Sequence, residues 1–97
     1  MINAGDIHRA DLNEEVSRRV LVISNNRFNR MSGRALVAPE ILGVPDEVLY
    51  PWRVRINDAV YAVDLARSVP NDRLLKRTNR APAVAMAQVR RALLNIT

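Results

Sequence analysis

The chain has 97 residues, a net charge of +5 and 48% hydrophobic residues, which suits one domain over residues 1–97 folded about a single core and excludes a disordered tail. With no cysteine and a single histidine, His8, it excludes a disulfide framework, a thiolate metal site and a His-rich metal cluster, and leaves little basis for a Ser-His-Asp triad. No segment approaches the roughly 18 apolar residues of a membrane span and no signal-like stretch opens the chain, so no membrane contact and a cytoplasmic location are expected.

The positive charge is carried by fourteen arginines and one lysine, Lys76. It is also blocked: residues 16–36 carry +5 with no acid, residues 65–97 carry +6, and acidic stretches separate them. Arginine presents a planar fork that matches phosphate and stacks on bases, so two basic blocks suit an anionic partner; solvated surface charge explains the same composition equally well.

In chain order, Ala4 to Leu12 reads as a first strand, entered by a turn at Gly5-Asp6 and placing His8 on one face with Ala10 and Leu12. His8 in that setting is a partly buried structural residue. A polar loop over Asn13 to Arg19 leads to Val20-Leu21-Val22-Ile23-Ser24, whose unbroken aliphatic run predicts a strand buried on both faces. The stretch Asn25 to Arg34 is rich in Asn, Ser and Gly and reads as a loop, with Phe28 as its anchor into the core. Ala35 to Ala38 reads as a short strand ended by Pro39, and Glu40 to Tyr50, holding Gly43, Pro45 and Asp46, as a surface connection.

The alternation of Trp52, Val54 and Ile56 with Arg53 and Arg55, followed by Asn57-Asp58 and a second apolar run, predicts a hairpin from Trp52 to Asp64. A turn at Pro70-Asn71-Asp72 precedes a short segment around Leu74 to Arg77. Pro82 suits the first turn of a helix running from Ala83 to Asn95, with Met86, Val89, Leu93 and Ile96 as its apolar stripe and Arg90 and Arg91 near its C-terminus. Six or so short strands and one terminal helix give a mainly β, α+β unit.

Most catalytic chemistries lack their residues here. No carboxylate cluster with ligand spacing stands near His8, so no metal or other cofactor is expected. The three glycines form no phosphate-binding loop, and the carboxylate pairs Glu14-Glu15 and Asp46-Glu47 fall in loops. Arginine remains: it holds a phosphate and stabilises charge developing on it. RNA carries its own nucleophile, the 2′-hydroxyl, so its cleavage needs mainly positioning, anion stabilisation and proton transfer.

Several segments together resemble the MazF/PemK (Kid) toxins of toxin–antitoxin modules: Gly5-Asp6-Ile7 through Asp11-Leu12, then Arg18-Arg19-Val20-Leu21-Val22-Ile23-Ser24-Asn25, then Leu36-Val37-Ala38-Pro39, Tyr50-Pro51-Trp52-Arg53-Val54 and Val63-Asp64-Leu65-Ala66-Arg67-Ser68-Val69. The middle, Leu49-Tyr50-Pro51 and Val63 to Pro70, also resembles CcdB, the fold-related gyrase poison. The resemblance implies a small half-open β-barrel with a C-terminal helix of about 82–95, a homodimer and a cognate antitoxin. It implies metal-independent, sequence-specific cleavage of single-stranded mRNA that leaves a cyclic phosphate. The family's catalytic arginine falls on Arg18, with Arg19, where proline is usual, as possible support; Asn13, Asn25, Arg27, Arg30 and Arg53 are the RNA-binding candidates. Two departures stand out: the loop from Asn13 to Ser17 lacks the family's G-S-E-Q element, and Glu40, Ile41 and Leu42 stand where a catalytic Ser or Thr follows the third strand. The alternatives are a CcdB-like toxin acting on DNA gyrase and a degenerate member that keeps only antitoxin binding.

Overall fold

The computed structural model describes residues 1–43 and 50–97. Its organising strand is β2 (Arg18–Val22), in which Val20, Leu21 and Val22 are each 0% exposed. Because successive strand residues face opposite ways, the run serves two cores. Leu21 joins Ile7, Val54, Ile56 and Tyr61 under the terminal helix, while Val20 and Val22 join Ala10, Leu12, Val37, Val69 and Leu74 on the other side. The expected burial on both faces is therefore observed. The strand nevertheless begins earlier than the apolar run suggests: Arg18 and Arg19 are its first two residues, not the end of a loop.

Around β2 the antiparallel ladders run from β1 (Asp6–Ala10) on one side to β3 (Arg34–Ile41) on the other. The path continues from β3 to β5 (Ala59–Ala62) and β4 (Arg53–Ile56), and from β1 to β7 (Leu74–Arg80), while β6 (Arg67–Pro70) pairs with the first half of β3. The seven-stranded sheet does not close, so β4 and β7 are its ends, in keeping with the expected mainly β, half-open architecture. The predicted hairpin is present as β4 and β5, with Asn57 in the left-handed region at its turn (φ 57°).

Pro39 does not end the third strand. On one side it pairs with Val20 of β2; on the other it stands between the residues bonded to β6 (Arg34 to Val37) and those bonded to β5 (Glu40 and Ile41). A proline is tolerated where no partner calls on its missing N–H. The strand thus carries Glu40 and Ile41, which the sequence assigns to a surface connection, into the sheet. Asp46-Glu47 and the rest of residues 44–49 lie outside the described residues.

The stretch read as a loop holds a helix, α1 (Asn26–Ser32). Asn25 caps it by accepting from the Phe28 N–H at 2.8 Å, and Gly33 (φ 70°) closes it in the left-handed region. Those residues favour turns for the same reasons that they favour helix ends. Phe28 is not the anchor, being 42% exposed. The buried residue is Asn29, whose side chain donates to the carbonyls of Ile2 and Ser24 and accepts from the Ser24 hydroxyl.

The terminal helix, α2, spans Ala83–Ile96, with Pro82 at its N-cap rather than inside its first turn. Its buried face is Ala85, Val89 and Ala92, flanked by half-buried Met86 and Leu93, whereas Ile96 is 46% exposed. Alanines let the helix lie close to β4, which shifts the contact line away from the larger side chains. Arg90 and Arg91 precede the last turn, which contains no basic residue.

His8 is buried between Val20 of β2 and Arg77 of β7, and neither ring nitrogen has a hydrogen-bond partner. Burial lowers its pKa below the ordinary 6.5; Arg77 and the N-terminus push the same way, and Asp6 opposes them. The unfolded chain therefore takes up this proton first as pH falls. Stability from this residue is complete above 6.5 and declines below it, by at most about 1.4 kcal/mol per pH unit, until the folded-state value is reached. Urea denaturation from pH 7.5 to 5 should show the decline, and H8Q should flatten it; equal slopes in the two proteins would remove His8 as the cause.

Candidate active site

The N-terminal end of β2 borders a cavity of about 350 Å³ whose wall includes Arg9, Glu14, Ser17, Arg18, Arg19 and Glu40. Arg9 and Arg19 lie directly opposite each other across β1 and β2. Like charges in such a pair repel, and the neighbouring strand supplies the counter-charge. Glu40 of β3 accepts from Arg19 Nε at 3.3 Å and from Arg19 Nη2 at 2.5 Å, so the two side chains meet fork to fork. The carboxylate side chain is 9% exposed and the guanidinium 34%. Hydrogen bonding to Glu40 is the main reason that the Arg19 pKa is raised; burial opposes it, and the charges of Glu40, Tyr61 and Asp58 add to it.

Tyr61 of β5 stands opposite Glu40 in the ladder and is 1% exposed. Burial pushes its phenol up, Arg19 pulls it down, and Glu40 and Asp58 push it further up. The phenol therefore stays neutral at pH 7.

Arg18 is held differently. Its Nη2 donates to Glu14 Oε2 at 2.8 Å, with the two side chains 37% and 41% exposed. An ion pair that open to water is worth about 0–1 kcal/mol. A phosphate entering the cavity can displace Glu14 from Arg18 at little cost, whereas Arg19 is committed to Glu40. The loop carboxylate thus holds the arginine at the cavity wall without sequestering it.

The other sequence candidates are dispersed. Asn13, in the left-handed region (φ 62°), accepts from Arg73 Nη1 at 2.8 Å, tying its loop to the residues before β7. Asn25 is occupied as the cap of α1. Arg27 and Arg30 are exposed on α1 and line two different depressions, one with Phe28 and Met31, the other with Ile2 and Asn71. Arg53 on β4 pairs with Asp64 at 3.5 Å and lies 5.5 Å from the centre of the Tyr50 ring, which stacks on Trp52. Of the residues singled out, the fold brings Arg18 and Arg19 into one cavity and places the other five elsewhere.

Arg9 and Glu40 were not singled out from the sequence. The signal for Glu40 was present: an arginine replaces the usual proline before the strand, and an acid occupies the place of a neutral residue after the next one. Opposite charges at two departures from one pattern point to a contact. Among the described residues no group of three or more His, Cys, Asp or Glu could hold a metal ion, and no helix is long and apolar enough to cross a membrane.

The profile of the family described as PemK-like, MazF-like toxin of type II toxin-antitoxin system matches residues 3–97. The chain belongs to this family. Solved structures agree in fold. An endoribonuclease in complex with its cognate antitoxin from a mycobacterial species superposes with a TM-score of 0.85 at 18% identity, covering 98% of this chain and 93% of that one. A MazE–MazF complex from Deinococcus radiodurans gives 0.84 at 23% identity, covering 98% and 94%. The Mycobacterium tuberculosis toxin MazF-mt6 gives 0.78 at 20% identity, covering 93% of both chains. No curated protein matches by sequence. For this MazF-like toxin, the CcdB-like segments at Tyr50-Pro51 and Val63 to Pro70 are a side feature of a match that runs almost end to end.

Proposed function

We propose that this toxin is a metal-independent endoribonuclease that cleaves single-stranded mRNA at short sequences, by attack of a 2′-hydroxyl on the adjacent phosphate. The observation that carries the reading is Arg18: a guanidinium at the wall of a cavity, held by one exposed and replaceable carboxylate. A phosphate in that position gains bidentate hydrogen bonds from Arg18, and Arg9 adds positive field. As the 2′-oxygen attacks, negative charge grows on the non-bridging oxygens, where a preorganised guanidinium stabilises it more than it stabilises the ground state. The attacking and leaving groups are both on the RNA, so the protein's task is placement, charge stabilisation and proton transfer.

The partners follow from the same reading. A cognate antitoxin covers the cavity; that solved proteins of this fold include an endoribonuclease bound to its cognate antitoxin and a MazE–MazF complex supports an antitoxin partner. Two copies form a homodimer, and both act in the cytoplasm, where mRNA is found. Asn13, Asn25, Arg27, Arg30 and Arg53 contact RNA outside the cavity, as dispersed sites along a strand that extends beyond the cut.

The test is incubation of the protein with a long single-stranded RNA in EDTA. Discrete cuts with 2′,3′-cyclic phosphate ends are expected, and a single 2′-deoxy substitution at a mapped cut should abolish cleavage there. Cleavage of the deoxy substrate, or cleavage only with added Mg²⁺, would overturn the mechanism. Intact RNA together with gyrase-dependent DNA damage in cells would favour the gyrase-directed alternative instead.

A further inference from the structure

Cleavage of RNA through its 2′-hydroxyl needs a group that accepts the hydroxyl proton, and arginine does not serve at neutral pH. A serine hydroxyl such as that of Ser17 is no base without an activator. Among the described residues, the carboxylates on the cavity wall are Glu14 and Glu40. Glu14 lies on an exposed loop and is tied to Arg18. Glu40 lies within β3, in the ladder with β5, and Arg19 grips both of its oxygens. A side chain on a strand, oriented by a second residue, is the arrangement that holds a reacting atom in place. Each carboxylate oxygen has a second lone pair beyond the one used by Arg19, and Glu40 is one of the residues that line the cavity.

Glu40 also has a structural role, offsetting the repulsion between Arg9 and Arg19 across β1 and β2; the pH–rate profile and the deoxy-oligonucleotide affinity below separate that role from a catalytic one. The pair is half open, with the carboxylate side chain 9% and the guanidinium 34% exposed, so its net contribution to stability is small. The charged and titratable groups that face Glu40 are Arg19 from β2 and Tyr61 from β5; the charge of Asp58, in the turn between β4 and β5, acts on both of those, and Arg9, Arg18 and Glu14 stand around the cavity.

Resting on the endoribonuclease reading above, we infer that Glu40 is the general base of this site, with Arg19 as its positioning residue. In the step, the O2′–H bond breaks and its proton passes to a Glu40 carboxylate oxygen. The O2′–P bond forms and the P–O5′ bond breaks. The electron pair leaves on O5′, which takes a proton from water, and Glu40 returns its proton to the resulting hydroxide. A cyclic phosphate and a 5′-hydroxyl remain.

The experiment compares the full-length wild-type protein with E40Q, E40D and R19K in single-turnover cleavage of a labelled oligoribonucleotide in EDTA across pH. Affinity for the all-2′-deoxy version of the same oligonucleotide is measured alongside. E40Q should lose about 100-fold in rate, bind the deoxy oligonucleotide within twofold of wild type, and lose the acid limb of the pH–rate profile. E40D should be slower than wild type yet keep that limb, and R19K should lower the rate without abolishing it. An E40Q rate within a few-fold of wild type with an unchanged profile overturns the assignment while leaving the endoribonuclease reading intact. A wild-type profile with no acid limb overturns it even if E40Q does not fold. Wild-type protein that leaves the RNA uncut overturns both.

Discussion

Arg18→Ala is expected to slow RNA cleavage by about 10²–10³-fold, the usual loss when one preorganised donor to a developing oxyanion is removed. The fold should be unaffected, because the interaction that Arg18 makes is a solvent-exposed pair with Glu14. Removing such a pair costs about 0–1 kcal/mol. The lesion should therefore appear in the chemical step and leave the melting temperature within a few degrees of wild type. Arg18→Lys separates charge from geometry: lysine keeps the positive charge and loses the fork, so its rate should fall between the two. Glu14→Gln, which frees Arg18 without altering it, should leave the rate close to wild type. Single-turnover assays on a labelled oligonucleotide measure all four proteins. An R18A rate equal to wild type would remove Arg18 from the site.

The largest stability effect is expected at Leu21. This side chain is 0% exposed and packs with Ile7, Val54, Ile56, Tyr61 and the Val89 face of α2. Leu21→Ala should lower the unfolding free energy by about 3–5 kcal/mol, the lost transfer free energy plus the cost of the cavity left behind. The upper part of that range applies because Ala38, Ala85 and Ala92 in the same cluster have no side chain that can reach into the void. Against a total stability of about 5–15 kcal/mol for a domain of this kind, that is a loss of roughly a third or more of the stability, read as a clear fall in the urea midpoint. Phe28→Ala, at an exposed position of α1, should cost less than about 1 kcal/mol. Urea denaturation at fixed protein concentration tests both, and a Phe28 effect equal to that of Leu21 would contradict the placement of the core.

Much of the fold could be read locally. The aliphatic run of Val20 to Ile23, the alternation around Arg53 and Arg55 and the apolar spacing after Pro82 each carry their own period, and each stands as a strand, a hairpin or a helix. The errors share a cause. Asn25 and Gly33 belong equally to turns and to helix ends, so a seven-residue helix between them looked like a loop. Pro39 looked like a stop, because whether a missing N–H matters depends on which strand lies beside it. That neighbour changes from β6 to β5 at this point of β3.

The site divides along the same line. The toxin-like motif around Arg18, a local feature, marks Arg18 and Arg19 as the catalytic candidates by resemblance, beside Arg27, Arg30 and Arg53 as RNA-binding ones. The partner of Arg19 was not local. Arg19 and Glu40 are separated by 21 residues, and they meet only because β2 and β3 lie side by side and β3 runs on past its proline. The sequence by itself determined the family, the cores of most strands and the arginine-rich start of β2. The tertiary structure alone decided that its two arginines differ: Arg18 faces a loop carboxylate that water can replace, and Arg19 faces one that the sheet holds in place.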